Sequence, residues 1–301
     1  MRPIIFGPDF ASTSVLSAID YCHFHATEPR HHLSVMRIIA ISNQKGGVGK
    51  TTTTVNLAAC LAERGVRVLL VDLDSQGNAT SWLGLAKEEG GSLYSALVDG
   101  TPAWDAVRST RVKNLFIIRS HRELAGAEIE LAQRGQHLTR MREVLDELRP
   151  RPEFDLILLD CPPSLGVIMT SALAAADEIL VPIQCEYLAL EGFSDFLEIV
   201  QQIIASGVNP NLHFGGVLMT MFDGRNSLSQ QVVNDVRAYL GENSPGELVY
   251  QTVIPRTVRL AETPSFGKTI LEYDPQGKGA AAYRALAEEF LQRQPPQVAK
   301  P

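Results

Sequence analysis

Short apolar runs recur along the chain, and most are followed by a stretch with helical spacing. Ile38-Ile39-Ala40-Ile41-Ser42 reads as a buried strand. Thr51 to Arg64 then carries apolar Val55, Leu57, Ala58, Leu61 and Ala62 at helical intervals and stops at Gly65. Further strands are predicted at Val66–Asp72, Asn114–Ile118, Phe154–Asp160, Glu178–Ile183, Gly215–Phe222 and, shorter, Val253–Arg256. Helices are predicted over Leu124–Leu148, from Gln184–Gly192 onward, from Ser227, and over Gly279–Gln292. Residues 81–113 read as a surface segment with short helices, and Phe266–Pro275 as loop. Alternation of this kind predicts an α/β fold, a mostly parallel sheet with helices on both faces.

Residues 1–35 break the pattern. They mix polarities, hold His23, His25, His31 and His32, and show no clear period. They lack the apolar core and small-residue cleavage site of a signal peptide. Beyond Cys22, no carboxylate or thiol recurs at regular spacing with those histidines, so a metal cluster is the lesser reading. The segment reads as a disordered extension or a misassigned start, with Met36 directly before the first strand. The body runs over 36–293, and 294–301 is a tail.

Composition narrows the class. Hydrophobic residues make up 45% and charged residues 20%, ordinary for a globular chain. Net charge is −7, so any DNA contact has to come from a local basic patch. Cys22, Cys60, Cys161 and Cys185 are scattered without a C-x-x-C pair, which suits a reducing, cytoplasmic setting. No apolar run is long enough to span a bilayer. Trp82 and Trp104 read as packing residues.

The chemistry concentrates where the first strand meets its helix, in Gln44-Lys45-Gly46-Gly47-Val48-Gly49-Lys50-Thr51-Thr52. Gly49-Lys50-Thr51 closes a phosphate-binding loop, although Gln44 stands where the pattern wants its first glycine. Gly46, Gly47 and Gly49 let backbone N–H groups turn toward an anion, and the helix N-terminus faces the same point. Lys50 is placed for β- and γ-phosphates and the Thr51 hydroxyl for Mg²⁺. Lys45 sits at the loop tip, within reach of a second subunit's phosphates. Asp72 and Asp74 share a face at the end of the second strand, which in an open α/β sheet opens on the ligand crevice. Asp74 is placed to orient a water near the γ-phosphate. Asp72 either supports the metal or the loop, or caps the following turn. The strand ending at Asp160 delivers that acid beside Thr51, one layer out from the metal's direct ligands. Cys161, next to Pro162-Pro163 and with no nearby histidine, reads as a buried thiol.

The two-lysine loop resembles the deviant Walker A loop of the ParA/MinD family of ATPases. The segment from Asp72 to Asn78 resembles that family's DxDPQGN, with Ser75 in place of proline. Leu124–Leu131, Asp160–Gly166, Pro182–Gly192 and Ile254–Pro275 resemble segments of its ParA/Soj branch. The resemblance implies a P-loop ATPase with ATP and Mg²⁺, tied to hydrolysis through Asp74. It implies an adenine site lined by Pro255 and Thr257, where Thr257 replaces the usual asparagine. It also implies an ATP-bound homodimer that holds non-specific DNA through Arg225, Arg256 and Arg259. A ParB-like centromere-binding partner, a nucleoid location and a role in chromosome or plasmid partition follow from the same likeness. The tail after Gln294 cannot form the basic amphipathic helix of a membrane-binding relative. An adaptor that had lost hydrolysis would not need Lys45, Lys50, Thr51, Asp74 and Asp160 together.

Overall fold

Strands without a polar side chain in their middle must be covered on both faces. A computed structural model shows how this is done. It describes residues 36–87, 92–135, 137–186, 191–241 and 248–293. The extension 1–35 and the tail 294–301 lie outside the described residues.

Eight strands form one sheet: β1 (Arg37–Ile41), β2 (Val68–Asp72), β3 (Val107–Ser109), β4 (Leu115–Ile118), β5 (Leu156–Asp160), β6 (Glu178–Gln184), β7 (His213–Phe222) and β8 (Val249–Pro255). Their order is β3-β4-β2-β5-β1-β6-β7-β8. All pairings are parallel except β3 with β4. The seven parallel strands therefore end along one edge, and everything predicted to carry chemistry sits there.

Alternate residues of each strand enter opposite cores. Ile39, Ile41, Leu70 and Leu158 pack with α1 (Lys50–Glu63) and its cover. Ile38, Ala40, Leu69, Val71, Ile157 and Leu159 face the other helix layer. That layer holds α3 (Leu124–Arg134), α4 (Arg140–Asp146), α5 (Val167–Ala175), α6 (Glu191–Ala205) and α7 (Ser227–Gly241), all later than the short α2 (Asn78–Trp82). The chain closes with α8 (Val258–Glu262), α9 (Ile270–Tyr273) and α10 (Lys278–Arg293).

Several expectations need correction. The helix predicted over 124–148 is two, α3 and α4, because Gly135 ends α3 in the left-handed region at φ 67°. The segment 266–275 is not loop throughout. Thr269 and Glu272 form a reciprocal capping box that starts α9. The helix expected to open at Gln184 begins at Glu191, because β6 runs on through Gln184. Residues 187–190 of that stretch lie outside the described residues, as do Gly90 and Gly91. β8 starts at Val249, earlier than predicted. β3 and α5 are elements the pattern did not announce. Trp82 is buried, with Nε1 donating to Lys268 O at 2.8 Å, and Trp104 meets Phe154 at a tilt of 45° beneath Arg151. Both are packing residues.

Candidate functional site

The loop between β1 and α1 is held from below and from both sides. Asn43 is buried; it donates to Pro182 O at 2.9 Å and accepts from Lys45 N at 2.9 Å. Gln44 Nε2 donates to Gly192 O at 2.9 Å. Gly47 and Gly49 lie at φ 76° and 90°, where a side chain would be strained, whereas Gly46 does not need that region. Gly49 leads into α1, whose N-terminus has no side-chain cap and no carboxylate in its first turn. Val48 is buried, so the loop is anchored through its middle while Gly46 and Gly47 stay exposed. An uncapped helix end under an open glycine loop is an anion seat.

Lys50 is buried, and burial lowers its pKa against the opposing pull of Asp160. Its Nζ donates to Lys45 O at 2.9 Å. Lys45 itself is ion-paired with Glu186 of the same chain, both side chains being part-exposed. The lysine expected to reach a second subunit is thus folded back onto the segment after β6.

Asp160 is completely buried at the end of β5. Its Oδ1 accepts from Thr54 Oγ1 at 2.9 Å, and Thr51 lies beside the same carboxylate. Its Oδ2 makes no hydrogen bond among the described residues. A buried carboxylate oxygen without a protein partner is costly unless a further group meets it. Burial and the charge of Asp72 push Asp160 far above the usual carboxylate range.

Asp72 holds the turn after β2. Its Oδ2 accepts from Thr80 N at 2.8 Å and Thr80 Oγ1 at 2.7 Å, and its Oδ1 from Asp74 N at 3.3 Å. It thereby fixes the segment that carries Asp74. Asp74 is half-buried, accepts from Gln76 N at 2.9 Å, and acts electrostatically on Lys50, Asp72 and Asp160. It is the part-exposed acid of the group. Cys161 is buried and its thiol is pushed up to about 12 by burial, the state of an inert core residue.

On the other side of β1, Pro255 ends β8 opposite Phe222 of β7. Thr257 caps α8, its Oγ1 accepting from Leu260 N at 3.1 Å. Arg225 is 92% exposed on its side chain and clasped by Asp223 at 3.0 Å. Arg256 is exposed, its backbone N donates to Phe222 O at 2.9 Å, and its charge acts on Asp223. Arg259 lies over the Tyr273 ring and 3.6 Å from Glu262. All three arginines occupy the rim of β7 and β8, each with an acidic or aromatic neighbour.

Asn43, Thr54, Thr80, Glu186 and Thr220 were not marked by sequence reasoning.

A family model described as an AAA domain matches residues 36–214. The chromosome partitioning protein ParA of Myxococcus xanthus (strain DK1622) is 46% identical over 265 residues, covering 87% of this chain and 90% of that protein. The chromosome-partitioning ATPase Soj of Thermus thermophilus is 50% identical over 258 residues, covering 86% and 96%. A crystal structure of cobyrinic acid a,c-diamide synthase from Mycobacterium smegmatis, with bound ATP analog and magnesium, superposes with a TM-score of 0.72 at 36% identity, covering 86% of this chain and 95% of that one. With the two-lysine loop and its buried acids in place, likeness over this much of its length shows that the chain belongs to the ParA/Soj family of chromosome-partitioning ATPases.

Proposed function

We propose that residues 36–293 bind ATP with Mg²⁺ at the loop after β1 and hydrolyse it slowly, and that ATP pairs two copies face to face. The paired form holds DNA without sequence preference, and hydrolysis, stimulated by a ParB-like centromere-binding partner, releases it. The outcome is partition of a chromosome or plasmid by a cytoplasmic, nucleoid-associated switch.

The observation that carries the reading is the group formed by Lys50, Thr51 and the unpartnered Oδ2 of Asp160 beneath an uncapped helix N-terminus. The donor set is all oxygen, which suits a hard cation rather than a soft one. Mg²⁺, when bound, neutralises charge on the phosphate oxygens. The Thr51 hydroxyl and Asp160 would hold it. Lys50 gives up Lys45 O to meet the phosphates, and Asp74 orients the attacking water. Lys45 leaves Glu186 to act on the other copy's nucleotide. Pro255 lines the adenine. Thr257 already accepts from Leu260 N, which leaves its hydroxyl proton for a ring nitrogen.

Arg225, Arg256 and Arg259 supply phosphate contacts on a chain of net charge −7. No helix among the described residues is long and apolar enough to cross a membrane. The test is an ATPase assay with and without long non-specific DNA, run beside DNA retention in ATP, ADP and no nucleotide. Slow turnover with ATP-dependent retention is the expected result. Turnover without retention in any state would remove the DNA step.

A further inference from the structure

We infer that Thr220, near the end of β7, is a positioning residue for the phosphate loop two strands away; the inference rests on the nucleotide reading above. Thr220 is buried. Its Oγ1 lies 2.8 Å from Val48 O and 3.1 Å from Ile183 O, so one hydroxyl proton is held between the loop and β6. Its own carbonyl accepts from Cys185 N at 3.0 Å, which ties β7 to the segment that carries Glu186.

The bond to Val48 O has a geometric consequence. A trans peptide is planar, with its C=O and N–H on opposite sides. Fixing Val48 O toward Thr220 turns the N–H of Gly49 the other way, away from β7. Gly49 stands at φ 90°, and without a Cβ it restrains the Val48–Gly49 peptide less than another residue would. Thr220 is the side chain that holds it, and a Cβ on Gly49 would sit 3.9 Å from that side chain. The loop N–H groups are the means by which such a loop binds phosphate, so their direction decides affinity.

A second feature fixes Thr220 in turn. Met221 follows it at φ 53°, in the left-handed region, although it is not glycine. A residue persists there only where its surroundings over-determine it. Here the ladder with β6 ends, while β7 stays paired with β8 at Phe222, whose O takes the Arg256 N–H at 2.9 Å. The end of β7 is therefore a set piece: Thr220 under the loop, Met221 turning the chain, and Phe222 joined to the arginine rim.

The experiment compares Thr220→Val and Thr220→Ser with the wild-type chain. The readouts are affinity for ATP, ADP and adenosine, and thermal midpoint. Valine fills the same space without the hydroxyl. Roughly tenfold weaker ATP and ADP binding in Thr220→Val, with adenosine binding unchanged and Thr220→Ser close to wild type, is the expected result; one lost hydrogen bond corresponds to about that factor. Equal ATP affinity in Thr220→Val and wild type would overturn the inference, as would an equal loss for ATP, ADP and adenosine in both variants. Failure of the wild-type chain itself to bind ATP would instead overturn the nucleotide reading.

Discussion

Asp72 and Asp160 stand side by side at the ends of β2 and β5, paired in register and both without solvent exposure. Burial raises both, but they are unequally supported. Asp72 accepts hydrogen bonds from Thr80 and the Asp74 backbone, whereas Asp160 has hydroxyls alone and feels the charge of Asp72. Asp160 is pushed up to about 8. Of the two, Asp160 is the acid raised further.

That inequality gives a pH dependence of stability. An acid raised in the fold costs nothing below its unfolded value of 3.8, and the cost accumulates as pH climbs to about 8. Asparagine cannot ionise and escapes it. Without nucleotide, Asp160→Asn should be more stable than wild type by a margin that grows between pH 5 and pH 8, by at most about 1.4 kcal/mol per unit. Urea midpoints of both proteins across that range measure the margin. A margin that does not change with pH would place the proton elsewhere.

Asp74 is the acid left open to water, so its loss should separate binding from chemistry. Asp74→Ala should keep ATP affinity within about threefold and lower single-turnover hydrolysis by about 10²-fold or more, the contribution of a positioned base. Labelled-nucleotide binding and single-turnover kinetics read the two quantities. Lost binding would mean that the acid serves the loop instead.

The Lys45–Glu186 pair is part-exposed on both sides, at 35% and 40%. Such pairs add about 0–1 kcal/mol to stability. Glu186→Gln should therefore leave the denaturation midpoint nearly unchanged. It should also strengthen ATP-dependent pairing of two copies, because Lys45 has lost the partner that holds it within its own chain. Light scattering of the ATP-bound protein checks this, and weaker pairing would show that Glu186 assists the contact.

Arg225 projects from the rim, and among the described residues Asp223 is its ion-pair partner. Arg225→Glu should weaken retention on non-specific DNA and make its salt dependence shallower by about one phosphate contact, a change of roughly 0.9 in the log–log slope. Retention across a salt series measures both. An unchanged slope would take Arg225 out of the interface.

What could be read in advance follows from local physics. β1, β2, β4 and β5 are apolar through their middles because both faces are covered, and that signal needs no partner to be seen. The loop glycines, Lys50, Thr51 and Asp160 carry their chemistry in spacing. The break at Gly135 was visible as a glycine, but the periodicity resumes after it and hides the turn. α5 is buried on nearly every side, so it shows no polar stripe. β3 is only three residues long and half-exposed. Thr54, Thr220 and Asn43 were missed because each acts across a large sequence separation, 106 residues for Thr54 to Asp160 and 172 for Thr220 to Val48. No local pattern encodes a partner that far away.

The cover of α1 comes from the far end of the chain. Tyr283 meets Thr53 at 3.5 Å, Arg284 pairs with Glu63 at 2.8 Å, and Ile270 N donates to Asn56 Oδ1 at 2.8 Å. During synthesis the phosphate loop leaves the ribosome early, but the helix behind it stays bare on that face until α10 has emerged. Domains are made from the N-terminus and fold as units. A nascent chain therefore carries the loop without its backing, and a truncation before α10 would leave α1 uncovered on that face rather than remove one surface.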